Sequence, residues 1–261
     1  MTDYSEVCYK KTFLNQVIIR VDYHQFLPTE SVFDPIIEKA IVNLYPRRRP
    51  DQLIRFNAIN VVFDSTQGMA NTNSQVIDGI QREYQSTTGK NKLLLSNKYI
   101  VFEINEYQSF AEHIKAVKSI LTSFCSINKF TASRVGIRYI NIFDSNRTKI
   151  QKNYFTPEVA STVWIPTKDN ENTETRLLRS MHLSEYAVDA MTLNFRYGSY
   201  NPDFPNPLCK SDFALDFDCF SEEPSDELEE IIQKIINGHH AIQNLFEYVI
   251  TNTLRKVMRG E

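Results

Sequence analysis

Two pairs of side chains are of the right type and spacing to do chemistry together. Arg134 and Arg138 lie within Arg134-Val135-Gly136-Ile137-Arg138-Tyr139-Ile140-Asn141, and Asp216 and Asp218 lie within Leu215-Asp216-Phe217-Asp218. Side chains alternate across a strand, so each pair shares one face while Val135, Ile137 and Tyr139, or Phe213, Leu215 and Phe217, take the other. If the two polar faces meet, arginine and aspartate form charge-assisted, bidentate pairs. Two readings stay open. In one, the four residues are a structural ion-pair network over one face of a sheet. In the other, they are a ligand site: the arginines bind a phosphate or carboxylate, or the aspartates hold a divalent cation through oxygen. Gly136, between the arginines, permits a close backbone approach or relieves twist. Asp-x-Asp alone is a weak metal signal that needs a third acidic residue or phosphate oxygens; Glu103 is a candidate, although the sequence does not place it beside the pair.

Arg47-Arg48-Arg49, framed by Pro46 and Pro50, is the sharpest charge run. It reads as a solvated loop at a helix end, or as a contact site for phosphates or an acidic partner. The remaining motifs are incomplete. Thr88-Gly89-Lys90-Asn91 resembles the end of a phosphate-binding loop but lacks its first glycine and its Ser or Thr, so it reads as a hairpin turn. His239 and His240 are consecutive on a helix, about 100° apart, and do not face one metal. His182 and His113 belong to no motif. The four cysteines (Cys8, Cys125, Cys209, Cys219) form no CxxC pair, which argues against a zinc knuckle and a disulfide framework. Only Cys209, beside Lys210, has a basic neighbour, a weak sign of an activated thiol. No nucleophile elbow or dinucleotide fingerprint is present. The chain implies no cofactor.

Composition sets the frame. The 261 residues carry a formal net charge of −3, with 42% hydrophobic and 23% charged residues. These values fit an ordinary globular protein, and the acidic balance lowers the prior for nucleic-acid binding. No apolar run approaches the roughly 20 residues that span a bilayer. With no signal-peptide pattern at the first residues, the expected setting is the cytoplasm.

The elements that must position the candidates follow from periodicity. Strands are expected at 14–24, 54–64, 82–87, 92–96, 99–105, 134–143, 177–182, 187–197 and 213–220. Helices are expected at 33–45, with Asp34 as cap and Pro35 in the first turn, and at 109–127. A long helical stretch, 225–257, has acidic residues at its start and basic ones at its end, with Gly238 as its expected bend. Residues 65–74 and 201–207 read as loops. The class is α+β: an antiparallel sheet with helices on one face, arranged as two ferredoxin-like or related halves (1–145 and 146–261) within a single composite domain, 1–261.

The stretch from Arg134 to Asn141 resembles the Arg-x-Gly-Leu-Arg-Tyr-Ile-Asn signature of a sporadically distributed family of bacterial and archaeal proteins. The likeness extends over nearly the whole chain, through Asp216 and Asp218 and through His240, Phe246, Ile250 and Thr251 in the tail. Ile137 replaces the usual Leu, and Arg20 stands where members usually carry an acid. The resemblance implies a layout, and no activity comes with it. Its patchy distribution points to mobile-element or defence-type settings.

The absence of a complete catalytic constellation favours a non-catalytic binding or accessory protein acting through another protein or through self-association. One alternative is a phosphate-ligand sensor or metal-dependent enzyme built on Arg134, Arg138, Asp216 and Asp218. The other is nucleic-acid binding through Arg47, Arg48 and Arg49.

Overall fold

The computed structural model describes residues 7–64, 69–144, 153–160, 179–201, 204–206 and 212–261, with backbone alone for 57–64 and 69–75. In chain order its elements are β1 (Leu14–Tyr23), α1 (Thr29–Val32), α2 (Pro35–Val42), β2 (Arg47–Arg48), β3 (Gln52–Asp64), β4 (Met69–Gln85), β5 (Lys92–Ser96), β6 (Tyr99–Ile104), α3 (Phe110–Ile127) and β7 (Ala132–Phe143). They continue as α4 (Pro157–Ala160), β8 (Ser180–Val188), β9 (Met191–Ser199), β10 (Phe213–Ser221), α5 (Leu228–Val249) and α6 (Asn252–Arg259).

All ten strands join one antiparallel sheet in the order β2-β4-β5-β6-β1-β7-β10-β9-β8, with β3 paired to β4. The first half is ferredoxin-like: β1, α2, β5, β6, α3 and β7 form a β-α-β-β-α-β unit with strands ordered β5-β6-β1-β7. The second half differs from the expectation. Its described residues form a three-stranded meander, β8-β9-β10, followed by a helix. The sheet does not divide between the halves, because β7 pairs with β1 on one side and β10 on the other.

Alternation decides the layers. Val17, Ile19, Val21 and Tyr23 of β1, Val135, Ile137 and Tyr139 of β7, and Phe213, Leu215 and Phe217 of β10 are buried in one core with Ile37, Phe124, Ile235 and Ile242 of the helices. Among the described residues every helix packs on this side, and none covers the other face. Local signals start the helices as expected: Asp34 accepts from the Ile36 amide, and Ser109 from the Glu112 amide.

Four local expectations change. Arg47–Arg48 is a short edge strand on β4 rather than loop. Residues 69–74 are strand rather than loop, paired with 59–64 in a long hairpin arm. Its register is set by backbone ladder bonds, which the polar composition of 71–74 does not oppose. Ala187 belongs to β8, because a tight turn at Asp189 (φ 50°) separates β8 from β9. The C-terminal helical stretch breaks at Ile250–Thr251, not at Gly238. Thr251 there caps α6, and its amide bonds Tyr154. Gly238 lies where α5 meets the sheet, and a Cβ there would stand 2.8 Å from Ile137 Cγ2. Close packing, rather than bending, requires the glycine.

Gly238→Val should therefore lower the unfolding free energy by about 1–3 kcal/mol through overpacking, read from denaturant melts. An unchanged midpoint would show that α5 can move off the sheet.

Candidate functional site

The sheet brings the predicted pairs together on the face that no described helix covers. Arg138 lies directly opposite Asp218 in the ladder, but it leans along the strand to the next carboxylate. Its Nε and Nη2 donate to the two oxygens of Asp216 at 2.7 and 2.6 Å. Asp216 is 7% exposed. A third cation also reaches it: Arg196 of β9, its direct opposite there, donates through Nη1 at 3.4 Å. The sequence held no signal for Arg196, because β9 could not be placed beside β10. The Asp216 hydrogen bonds, with the nearby negative charge, raise the Arg138 pKa further.

Arg134 and Asp218 form a looser pair, at 3.5 Å. Arg134 lies over the Phe220 ring, its Cζ 4.3 Å from the centroid. Gly136 leaves room for this fold-over. A Cβ at that position would stand 3.0 Å from Phe220 Cβ and 3.3 Å from Arg134 Nη1. On the neighbouring strand, Arg20 clasps Asp22 through Nε and Nη2 and lies over Tyr99.

This geometry is that of a satisfied ion-pair network. Both Asp216 oxygens accept from guanidinium groups, so a cation would have to displace them. Glu103 does not assist. Its ladder neighbour Ile18 separates it from Arg138, and three strand spacings of roughly 4.8 Å separate it from Asp218. Among the described residues no three His, Cys, Asp or Glu side chains are grouped to hold a metal.

The arginine run splits by partner. Arg48 bonds Asp51 at 3.0 Å and approaches Glu38. Arg82 joins the same two carboxylates while lying over Phe33. Burial raises the Asp51 pKa, but hydrogen bonds from Arg48 and Arg82 outweigh it and hold the carboxyl below its ordinary value. Arg47 and Arg49 are exposed and make no ion pair among the described residues. Cys209 lies outside the described residues. Cys8, Cys125 and Cys219 are free, and burial pushes the Cys125 thiol up to about 11 and Cys219 to about 12.

A second site forms on the helix side, and its residues were not singled out as a group in the sequence. Tyr139, from the buried face of the signature strand, bonds His239 Nδ1 at 2.9 Å and Tyr107 Oη at 3.3 Å. Phe110 stacks on His239 with centroids 3.8 Å apart. His113 stacks on Tyr107, and its Nε2 accepts the Gln108 amide hydrogen. The one signal available was a tyrosine at a core position, since a buried phenol needs a hydrogen-bond partner.

No protein-family model matches the chain, and no curated protein matches it.

The distances rank the two open-face pairs. Arg138→Ala should cost about 1.5–3 kcal/mol, the range for hydrogen bonds to charged groups. Arg134→Ala should cost less than about 1 kcal/mol. Equal losses in denaturant melts would contradict the ranking. His113 supplies a pH test. Burial lowers its pKa below the ordinary 6.5. Only the unfolded chain therefore takes up this proton as pH falls past about 6.5, and the His113 contribution is present above that value and lost below it. His113→Gln should flatten the fall in stability on the acid side of pH 6.5. A slope identical to that of the unmutated protein would show that His113 does not carry it.

Proposed function

We propose that the protein is a non-catalytic binding protein that engages a macromolecular partner, another protein, through the uncovered face of its sheet. The observation supporting this reading is the construction of that face. Ladder register sets Lys92, Glu103, Ile18, Arg138, Asp218, Asn194 and Glu185 in one line across seven strands. Beside it run Ile140, Asp216, Arg196 and Leu183. Interspersed charges of both signs with Ile18, Ile140, Phe220 and Leu183 between them suit a protein surface better than a polyanion. A nucleic acid would require a face dominated by cations.

The ion pairs fit this role. Arginine and aspartate already neutralise one another, which holds their side chains in fixed positions at little further ordering cost when a partner docks. The same saturation weighs against the phosphate-ligand and metal readings of Arg134, Arg138, Asp216 and Asp218. It also weighs against catalysis, where a perturbed, unsatisfied group is the expected sign. Arg47 and Arg49 keep a nucleic-acid contact in view as the second reading, with two exposed charges to support it. The family resemblance extends the proposal to a mobile-element or defence-type setting, in which accessory proteins serve larger complexes.

The test is affinity capture from the native host, with and without nuclease, using three chains. Leu183→Glu and Glu185→Lys change the open face of β8 without touching an ion pair, and Tyr248→Glu changes the exposed side of α5. A stoichiometric protein that survives nuclease, is lost with the β8 variants and is kept with Tyr248→Glu is the expected result. Recovery of nucleic acid with affinity falling steeply in salt would replace this reading with the second.

A further inference from the structure

The helix side holds a cavity of about 560 Å³, within the range of small-molecule sites. Four separate chain regions build it: residues 7–14, the 107–111 turn, Tyr139 and Asn141 of β7, and α5 with Met258 of α6. Backbone bonds tie these walls together. The Lys11 amide donates to Met258 O, and the Ile142 amide to Phe13 O. Tyr9 closes one side, its hydroxyl donating at 2.6 Å to Glu247, which is 1% exposed and held by Arg255 at 2.8 Å.

Three properties of the walls specify a ligand. The first is charge. The lining contains no Lys, Arg, Asp or Glu, and an ionised group entering it would lose hydration with no counter-charge to replace it. The second is the rings. Tyr107, Phe110, Tyr139, His239 and Phe246 line the space, and the Phe110–His239 stack (10° between planes) and the Tyr139–His239 bond fix three of them in advance. Flat aromatic surfaces select a flat aromatic guest. The third is the polar edge. Asn141 is 6% exposed and donates to Leu215 O at 3.4 Å, while its carbonyl oxygen has no partner among the described residues. Gln243 is a second amide on the wall. At the α3 start, Ser109 serves the Glu112 and His113 amides, which leaves the Phe110 and Ala111 N–H groups at the rim as donors. Side-chain amides that offer a donor and an acceptor in one plane match the edge of a nucleobase.

We propose that this cavity binds an uncharged planar heteroaromatic, of the nucleobase or nucleoside class, stacked on the His239–Phe110 wall and read by Asn141 and Gln243. The proposal is independent of partner binding at the open face, from which the sheet separates it. Asn141 and Tyr139 belong to the same strand as Arg134 and Arg138 but to its opposite face, so the signature strand supplies both surfaces.

Titration calorimetry of the full chain with adenosine, guanosine, cytidine, uridine and their free bases tests it. At least one should bind, and its 5′-monophosphate should bind more weakly, since the cavity offers no cation. Gln243→Leu, on the cavity wall, also removes a 3.4 Å bond to Glu247; it should weaken the best ligand at least tenfold while its circular dichroism and cooperative melt without ligand show it folded. Asn141→Leu should do the same if it folds. Absence of binding by every base and nucleoside at millimolar concentration would overturn the proposal. So would tighter binding of the monophosphate, or undiminished binding by Gln243→Leu.

Discussion

The structure depends on the two-residue alternation of β7 at the centre of a sheet whose described helices all lie on one side. Val135, Ile137 and Tyr139 are held under α5, where Gly238 lets helix and strand meet. That anchoring fixes the register against β10 throughout, and against β1 from Gln16 to Asp22, between irregularities at either end. A slip of one residue would put Arg134 and Arg138 into the core and Ile137 into water, exchanging every side chain across the faces. The core is therefore what aims the arginines, and the arginines in turn hold Asp216, the most deeply buried carboxylate of the open face.

Magnitudes decide how that open face should be read. A buried carboxylate left without a partner is costly, whereas one fork-bonded to a guanidinium is close to neutral. Asp216 has Arg138 at hydrogen-bonding distance on both oxygens and Arg196 beyond. Asp218 has one long contact. Such an arrangement stiffens a surface more than it stores reactivity. The helix-side cavity is the opposite case: its lining holds rings and amides and no Lys, Arg, Asp or Glu.

Most of the β-strands, though not β2 or residues 69–74, and the helices α2 and α3 could be read directly, because half-buried strands alternate and α3 carries a stripe from Val117 to Phe124 together with its Ser109 cap. The Arg–Asp encounter could be read as well, since hydrophobic alternation alone puts each pair on a polar face. Other features lay outside what one sequence carries. Strand order is set by long-range pairing, so neither Arg196 beside Asp216 nor the distance of Glu103 could be deduced. The strand at 69–74 is set by ladder pairing with 59–64, which its polar composition permits but does not announce. Thr251 resembles any other helix-interior threonine until its amide is seen bonded to Tyr154. The Tyr139–His239–Tyr107 cluster joins residues about a hundred positions apart, and only a tyrosine at a core position hinted at it.

The proposed working surface is the side of the sheet that no described helix covers. Hydroxyl-radical footprinting of the protein purified with its partner tests it most directly, with the isolated protein as reference. The account predicts protection at Leu183, Phe220 and Tyr99 on the open face. Ile36 and Tyr248, exposed on α2 and α5, should stay as reactive as in the isolated protein. Protection of Ile36 and Tyr248 with the open face left reactive would contradict the account and move the interface to the helices.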